Sequence, residues 1–174
     1  MITYNPAFDL YHCIFRMTNI VDRLEASESF EIDKVRIWDF YLLYPSKTFD
    51  IEVMPRKEKE AYNAREKWIE RSSNPYEYSG DNRKLFEWIK PFQISALSCL
   101  VSCGILNKDA YLEGNVRVEN KEALNQFMQQ AGGFTARERN VLSFLSLFSR
   151  HMPLTGSNGL KARTNLLEYK YDAE

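Results

Sequence analysis

Glycine and proline are scarce in this chain, at 7 and 6 of 174 residues. So little glycine argues against a fold built on glycine-rich cofactor-binding loops. Histidine is scarcer still, with 2 residues, and there are 3 cysteines. An odd number of cysteines at irregular spacing does not form a disulfide framework. Net charge is nearly absent, because 23 basic residues face 24 acidic ones and leave −1. A chain so balanced has no global pull toward nucleic acid, and any phosphate contact must come from a local patch. No run approaches the roughly 20 apolar residues of a membrane span. The opening Met1-Ile2-Thr3-Tyr4-Asn5 lacks the charged region and apolar core of a signal peptide. These absences predict a reducing, cytoplasmic location and no membrane contact.

What is present is ordinary for a soluble protein, with 44% apolar and 27% charged residues. A chain of this length fits one domain that buries about two-thirds of its unfolded surface without metal or disulfide staples. Aromatic residues are in surplus at 14%, with 11 Phe, 10 Tyr and 3 Trp. Large rings dominate cores and interfaces, so the surplus asks where these rings go.

Asn5-Pro6 is a helix start, with Asn as cap and Pro at the first position. Leu10, Ile14, Met17, Val21 and Leu24 alternate spacings of four and three, with Phe8, Tyr11 and Phe15 as a second stripe. The spacing predicts a helix from Pro6 to about Ala26 whose broad apolar surface is buried on two sides or meets a partner. After Glu28-Ser29, the segment 32–44 keeps helical spacing through Val35, Trp38 and Leu42 until Pro45. Arg56 to Arg71 reads as a solvated helix with Ala61, Ala64, Trp68 and Ile69 on one side. Asp81 caps a helix to Ile89, and Pro91 starts another that stops at Cys103-Gly104. Tyr111-Leu112 and Val116-Arg117-Val118 read as two short strands around a glycine turn. Lys121 to Ala131 is an amphipathic helix stopped by Gly132-Gly133. Thr135 and Glu138 match the capping box, and the helix they open is apolar nearly all round, as a central core helix would be.

The expected fold is mainly α, a single domain over 1–153. A winged-helix-like element with a short β-hairpin wing spans about 81–131, and 154–174 forms a C-terminal docking tail. A winged helix commonly reads DNA with its second helix. Here the solvent face of that helix offers Gln93, Ser95, Ser98 and Ser102 and neither Lys nor Arg, the residues that base readout and phosphate neutralisation lean on. A protein-binding module is the better reading, and a stand-alone winged-helix transcriptional regulator is the alternative.

No catalytic template is present: no Gly-x-Ser-x-Gly, no phosphate-binding loop and no His-Glu-x-x-His. Glu66 with Glu70, or Asp9 with Asp22, are pairs of surface helix charges. Cys99 and Cys103 share a helix face, but a zinc site needs two further ligands, and Cys13, His12 and His151 stand far apart in the chain. Both cysteines are expected as small buried residues. An enzyme is therefore not expected, nor a metal or cofactor. Partner-interface candidates are Phe8, Tyr11, Phe15, Trp38, Tyr41, Tyr169 and Tyr171. A modest basic C-terminal region adds possible phosphate contacts at Arg150, Lys161 and Arg163, with Arg117 at the wing.

Two stretches carry a family likeness. They are Asn5-Pro6-Ala7-Phe8-Asp9-Leu10-Tyr11-His12-Cys13-Ile14-Phe15-Arg16-Met17 and Gly159-Leu160-Lys161-Ala162-Arg163-Thr164-Asn165-Leu166-Leu167-Glu168-Tyr169-Lys170-Tyr171-Asp172. Together with Asp39-Phe40-Tyr41, they resemble the middle component of bacterial ABC three-component (ABC-3C) systems. Those systems overlap with the Lamassu anti-phage systems, whose small subunit is called LmuC. The resemblance implies a small non-enzymatic subunit between a coiled-coil ATPase similar to SMC and Rad50 proteins and an effector, often a nuclease. DNA contact within such a complex would be non-specific. The resemblance places Phe8, Tyr11 and Phe15 in the N-terminal motif and Lys161, Arg163, Thr164 and Tyr169 in the C-terminal one, as structural or interface residues.

Overall fold

The computed structural model describes residues 5–25, 27–72 and 80–168. Asn5 caps the first turn, where its side chain accepts the Ala7 amide at 3.0 Å. The turn is a short 3-10 helix, Pro6–Phe8. The single helix expected from Pro6 to about Ala26 is interrupted at Asp9, which is extended. The Asp9 carboxylate accepts the His12 amide at 2.8 Å and opens a new helix, α1 (Leu10–Val21). A capping side chain inside an apolar stripe resets the backbone without disturbing the periodicity, which is why the pattern alone missed it.

Strand β1 (Ser29–Glu31) leads into α2 (Ile32–Leu43), followed by a 3-10 turn at Pro45–Asp50 and by α3 (Lys59–Trp68). The two helices expected around Pro91 are one, α4 (Asn82–Ser102), with Pro91 inside it. Proline removes one helical hydrogen bond there. Apolar residues buried on both sides of it, Leu85 and Ile89 before and Leu97 and Leu100 after, hold the helix together by packing. Its end is as expected. Gly104 takes φ +72, and the Gly104 and Ile105 amides return to Val101 and Leu100 carbonyls.

The hairpin wing expected at 111–118 is not formed. Asn107 caps a short helix, α5 (Lys108–Leu112), which takes up Tyr111 and Leu112. Strand β2 (Asn115–Arg117) pairs antiparallel with β1 instead, with Ser29 opposite Arg117, Phe30 opposite Val116 and Glu31 opposite Asn115. The partner strand comes from far upstream, where local alternation carries no information. The small antiparallel sheet beside helices remains compatible with a winged-helix-like element.

The chain continues through α6 (Lys121–Ala131), α7 (Ala136–Ser149) and α8 (Leu160–Thr164). The capping box at Thr135 and Glu138 is complete in both directions. Gly159 precedes α8 for a steric reason, because a Cβ there would lie 2.1 Å from the Thr155 carbonyl oxygen.

Contacts group the chain into two units, one of residues 1–39 and 88–134, the other of 40–87 and 135–174. In the first, α1 packs on α6, and Met17, Ile20, Phe30, Trp38 and Leu97 are buried. In the second, α3 packs against α7, with Ala61 and Ala64 facing the core and Val141, Phe144, Leu145 and Phe148 buried. α7 is not apolar toward the core on every side, since Leu147 is 49% exposed.

Candidate functional site

Position 16 falls on the buried face of α1 beside Met17 and Ile20, so Arg16 points inward and needs a partner. Its Nε donates to Asp39 Oδ1 at 2.5 Å and its Nη2 to Oδ2 at 3.3 Å. Its Nη1 lies 3.0 Å from the Pro6 carbonyl oxygen and 2.7 Å from His12 Nδ1. Gln93 of α4 donates through Nε2 to Asp39 Oδ2 at 2.9 Å and to the Arg36 carbonyl at 3.1 Å. Its Oε1 accepts from Arg36 Nε at 3.0 Å, and Arg36 Nη1 reaches Asp33 at 2.8 Å. The network therefore ties α1, α2 and α4 inside the first unit. Gln93 is fully buried rather than on the solvent face as the sequence reading had it. The signal was available: Ile89, Gln93, Leu97 and Leu100 lie at spacings of four, four and three.

This arrangement positions helices. Cys13 lies next to it and is buried, and burial, reinforced by the Asp39 charge, pushes its thiol well up. A thiol held protonated is a poor nucleophile. Cys99 is half-buried and Cys103 exposed, so the expectation that both are buried does not hold. Cys103 directly follows Ser102, the last residue of α4. Among the described residues no group of three or more His, Cys, Asp and Glu could hold a metal ion.

The aromatic candidates divide sharply. Phe8 and Tyr11 are 41% and 84% exposed. The Phe8 ring meets Phe92 edge-on at 5.9 Å. Trp88, 51% exposed, lies one helical turn before Phe92 on α4 and shares its face. Phe8, Phe92 and Trp88 thus form an aromatic surface on the first unit, with Tyr11 three residues beyond Phe8. Sequence reasoning missed Trp88 and Phe92, because only the fold brings α4 beside the Pro6–Phe8 turn. Phe15 is half-buried against Phe134. Trp38 and Tyr41 are interior, Trp38 edge-on to Phe30 and Tyr41 edge-on to Phe40. Burial pushes the Tyr41 hydroxyl far up, helped by Asp50. Tyr169 and Tyr171 lie outside the described residues.

The basic candidates also separate. Arg117 is exposed on β2, while Arg150 and Lys161 are half-buried. Arg163 is buried in the second unit. Its Nε and Nη2 donate to the Glu52 carbonyl, and its Nη1 and Nη2 to the Glu58 carboxylate at 3.1 and 2.8 Å. The guanidinium also lies over the Phe148 ring at 5.3 Å. Arg83 donates to the Asn165 and Leu167 carbonyls at 3.1 Å each. Residues 160–168 are therefore fastened onto their own unit by two arginines. Arg65, read as part of a solvated face, is buried as well, and its Nη1 donates to the Thr48 and Ile51 carbonyls at 3.1 and 3.0 Å. Its spacing from Ala61 and Ala64, four and one, put it on the apolar side.

Among the described residues no helix is long and apolar enough to cross a membrane. Comparison with curated proteins and with solved structures finds no match. A family model described as ABC-three component (ABC-3C) system Middle Component 5 matches residues 2–172. That family name implies an accessory part working with the other components of an ABC-3C system. With nearly its whole length matched, and with both motif stretches inside the match, the chain belongs to the middle component 5 family of ABC-3C systems.

Proposed function

We propose that this protein is the non-catalytic adaptor of a Lamassu-type, cytoplasmic defence complex against phage or plasmids. It links a coiled-coil ATPase similar to SMC and Rad50 proteins to an effector, often a nuclease. The observation that carries the reading is the family match over residues 2–172. The aromatic surface of Phe8, Tyr11, Trp88 and Phe92 supports it, because exposed rings of this kind are enriched where proteins meet. The buried network supports it in another way, since Arg16, Asp39 and Gln93 are spent on holding helices together.

The adaptor works mechanically. It docks on the ATPase, holds the effector and reorients or releases it when foreign DNA is sensed. DNA contact within the complex is non-specific and falls to exposed cations such as Arg117. Arg163 does not serve in this role while Glu58 and the Glu52 carbonyl hold it. Co-expression with the ATPase and effector encoded beside it should give a stable complex on affinity purification. Recovery of the chain alone from that co-expression overturns the reading. Specific DNA binding by the isolated chain, lost on changing Ser95 or Ser98, would instead favour a stand-alone regulator.

A further inference from the structure

We propose that Asn158 is a self-modification site, where the asparagine deamidates through a succinimide with Gly159, and that the docked segment 160–168 holds the reaction in check. Asn158 is exposed, Gly159 follows it, and no other Asn in the chain is followed by Gly. The reaction needs only water. The Gly159 amide gives up its proton and its nitrogen attacks Asn158 Cγ. A new N–C bond closes the succinimide ring, and the side-chain amide nitrogen leaves as ammonia. Water then opens the ring at either carbonyl, leaving aspartate or isoaspartate. Glycine in second place favours closure, because it carries no Cβ to block the approach and its backbone turns freely.

The fold needs that same glycine for another reason. Gly159 is buried just before α8, and a Cβ there would run into the Thr155 carbonyl. Its N–H donates to the Gly156 carbonyl at 3.0 Å, so the attacking nitrogen is already engaged. The next two amides tie the chain down, Leu160 to the Pro153 carbonyl at 2.9 Å and Lys161 to the Leu154 carbonyl at 3.0 Å. Beyond them the Arg163 amide donates to the Gly159 carbonyl at 3.0 Å, and its side chain holds Glu58 at 2.8 Å. Arg83 grips the Asn165 and Leu167 carbonyls. Ring closure must break the bond to Gly156 and swing the Gly159 nitrogen out of this corner, which the docked segment opposes. The reaction therefore runs in chains whose segment has come off, and its product keeps the segment off. Isoaspartate routes the backbone through the former side chain and lengthens it by one carbon between Gly156 and Gly159. The turn that sets Leu160 and Lys161 against Pro153 and Leu154 then loses its register.

The test follows the full chain over time at mildly alkaline pH by mass spectrometry. Cleavage after Arg150 and Lys161 gives the peptide 151–161, in which Asn158 is the only amide side chain. Isoaspartate in it is scored with an isoaspartyl methyltransferase. The chain in guanidinium chloride should set the upper rate, and the folded chain should fall below it by at least about tenfold, the scale of one hydrogen bond to a charged group. Arg163→Ala should raise the folded rate by roughly tenfold. Arg83→Ala, which keeps the buried pair of Arg163 and Glu58, should raise it by less, and it decides the matter if Arg163→Ala does not fold. Equal rates in the folded and denatured chain overturn the proposal, as does an Asn158 that stays intact when denatured. So does a folded rate that neither arginine variant changes. Chains with isoaspartate at 158 should be cut by trypsin within 160–168 faster than unmodified ones, and equal cutting overturns the release of the segment.

Discussion

The two units solve the same problem with different chemistry. The first places an ion pair and an amide in the middle of its helices, with Arg16 and Gln93 both bonded to Asp39. The second packs α3 on α7 with apolar side chains and keeps its buried arginines for irregular backbone. Arg65 donates to the Thr48 and Ile51 carbonyls, and Arg163 to the Glu52 carbonyl, along the chain between α2 and α3. The difference teaches what each polar group is for. In the first unit the buried pair allows one register of three helices, since any other leaves a charge without its partner. In the second, helix packing sets the register, and the arginines fasten loops onto it.

The largest expected effect breaks the first unit. Asp39→Ala leaves Arg16 buried without its counter-charge and should cost about 3–5 kcal/mol in urea unfolding. Replacing both partners by apolar residues, Arg16→Met with Asp39→Leu, should cost less than the single change. A pair of equal costs would mean that the network carries stability rather than register.

In the second unit the comparable loss should come from packing. Leu145→Ala should cost about 2–5 kcal/mol, while Leu147→Ala, two residues on but exposed, should stay within about 0.5. Arg163→Ala comes next, at roughly 1–3 kcal/mol, because the Glu52 carbonyl loses a charged donor. Its mark is early proteolytic cleavage within 160–168 while α7 stays protected.

Alkaline titration separates the units further. Burial raises the Cys13 thiol from 9.0 and the Tyr41 hydroxyl from 10.0. The folded state keeps protons that the unfolded state releases, so stability falls as pH rises past those ordinary values. The loss should start near pH 9 in the first unit and near 10 in the second. Cys13→Ala should remove the earlier limb of a urea-unfolding series. The smallest effect on folding belongs to Tyr11→Ala, within about 0.5 kcal/mol. The same change should weaken recovery of partners in co-purification, and unchanged recovery would remove Tyr11 from the docking surface.

Much of this molecule is legible before folding. The Thr135–Glu138 capping box, the glycine stops at 104 and 132 and the end of α2 before Pro45 stand where the sequence puts them. Each depends on a backbone group and a side chain within a few residues. The errors share a cause as well. Pro91 reads locally as a helix start, but burial of the residues around it carries α4 through. Val116 reads as half of a hairpin, but its partner is Phe30. Trp38 and Tyr41 read as interface rings because a ring on a helix looks alike facing a core or a partner.

By itself the sequence determined the helical class, the caps and stops, and the family, because these rest on short-range chemistry and on motif residues near both ends. Only the tertiary structure decided that β1 meets β2, that Phe8 joins Phe92 on one surface, and that Arg16, Gln93 and Arg163 lie inside. A charged or amide side chain goes to the interior only when a distant partner satisfies it, and the identity of that partner is set by packing.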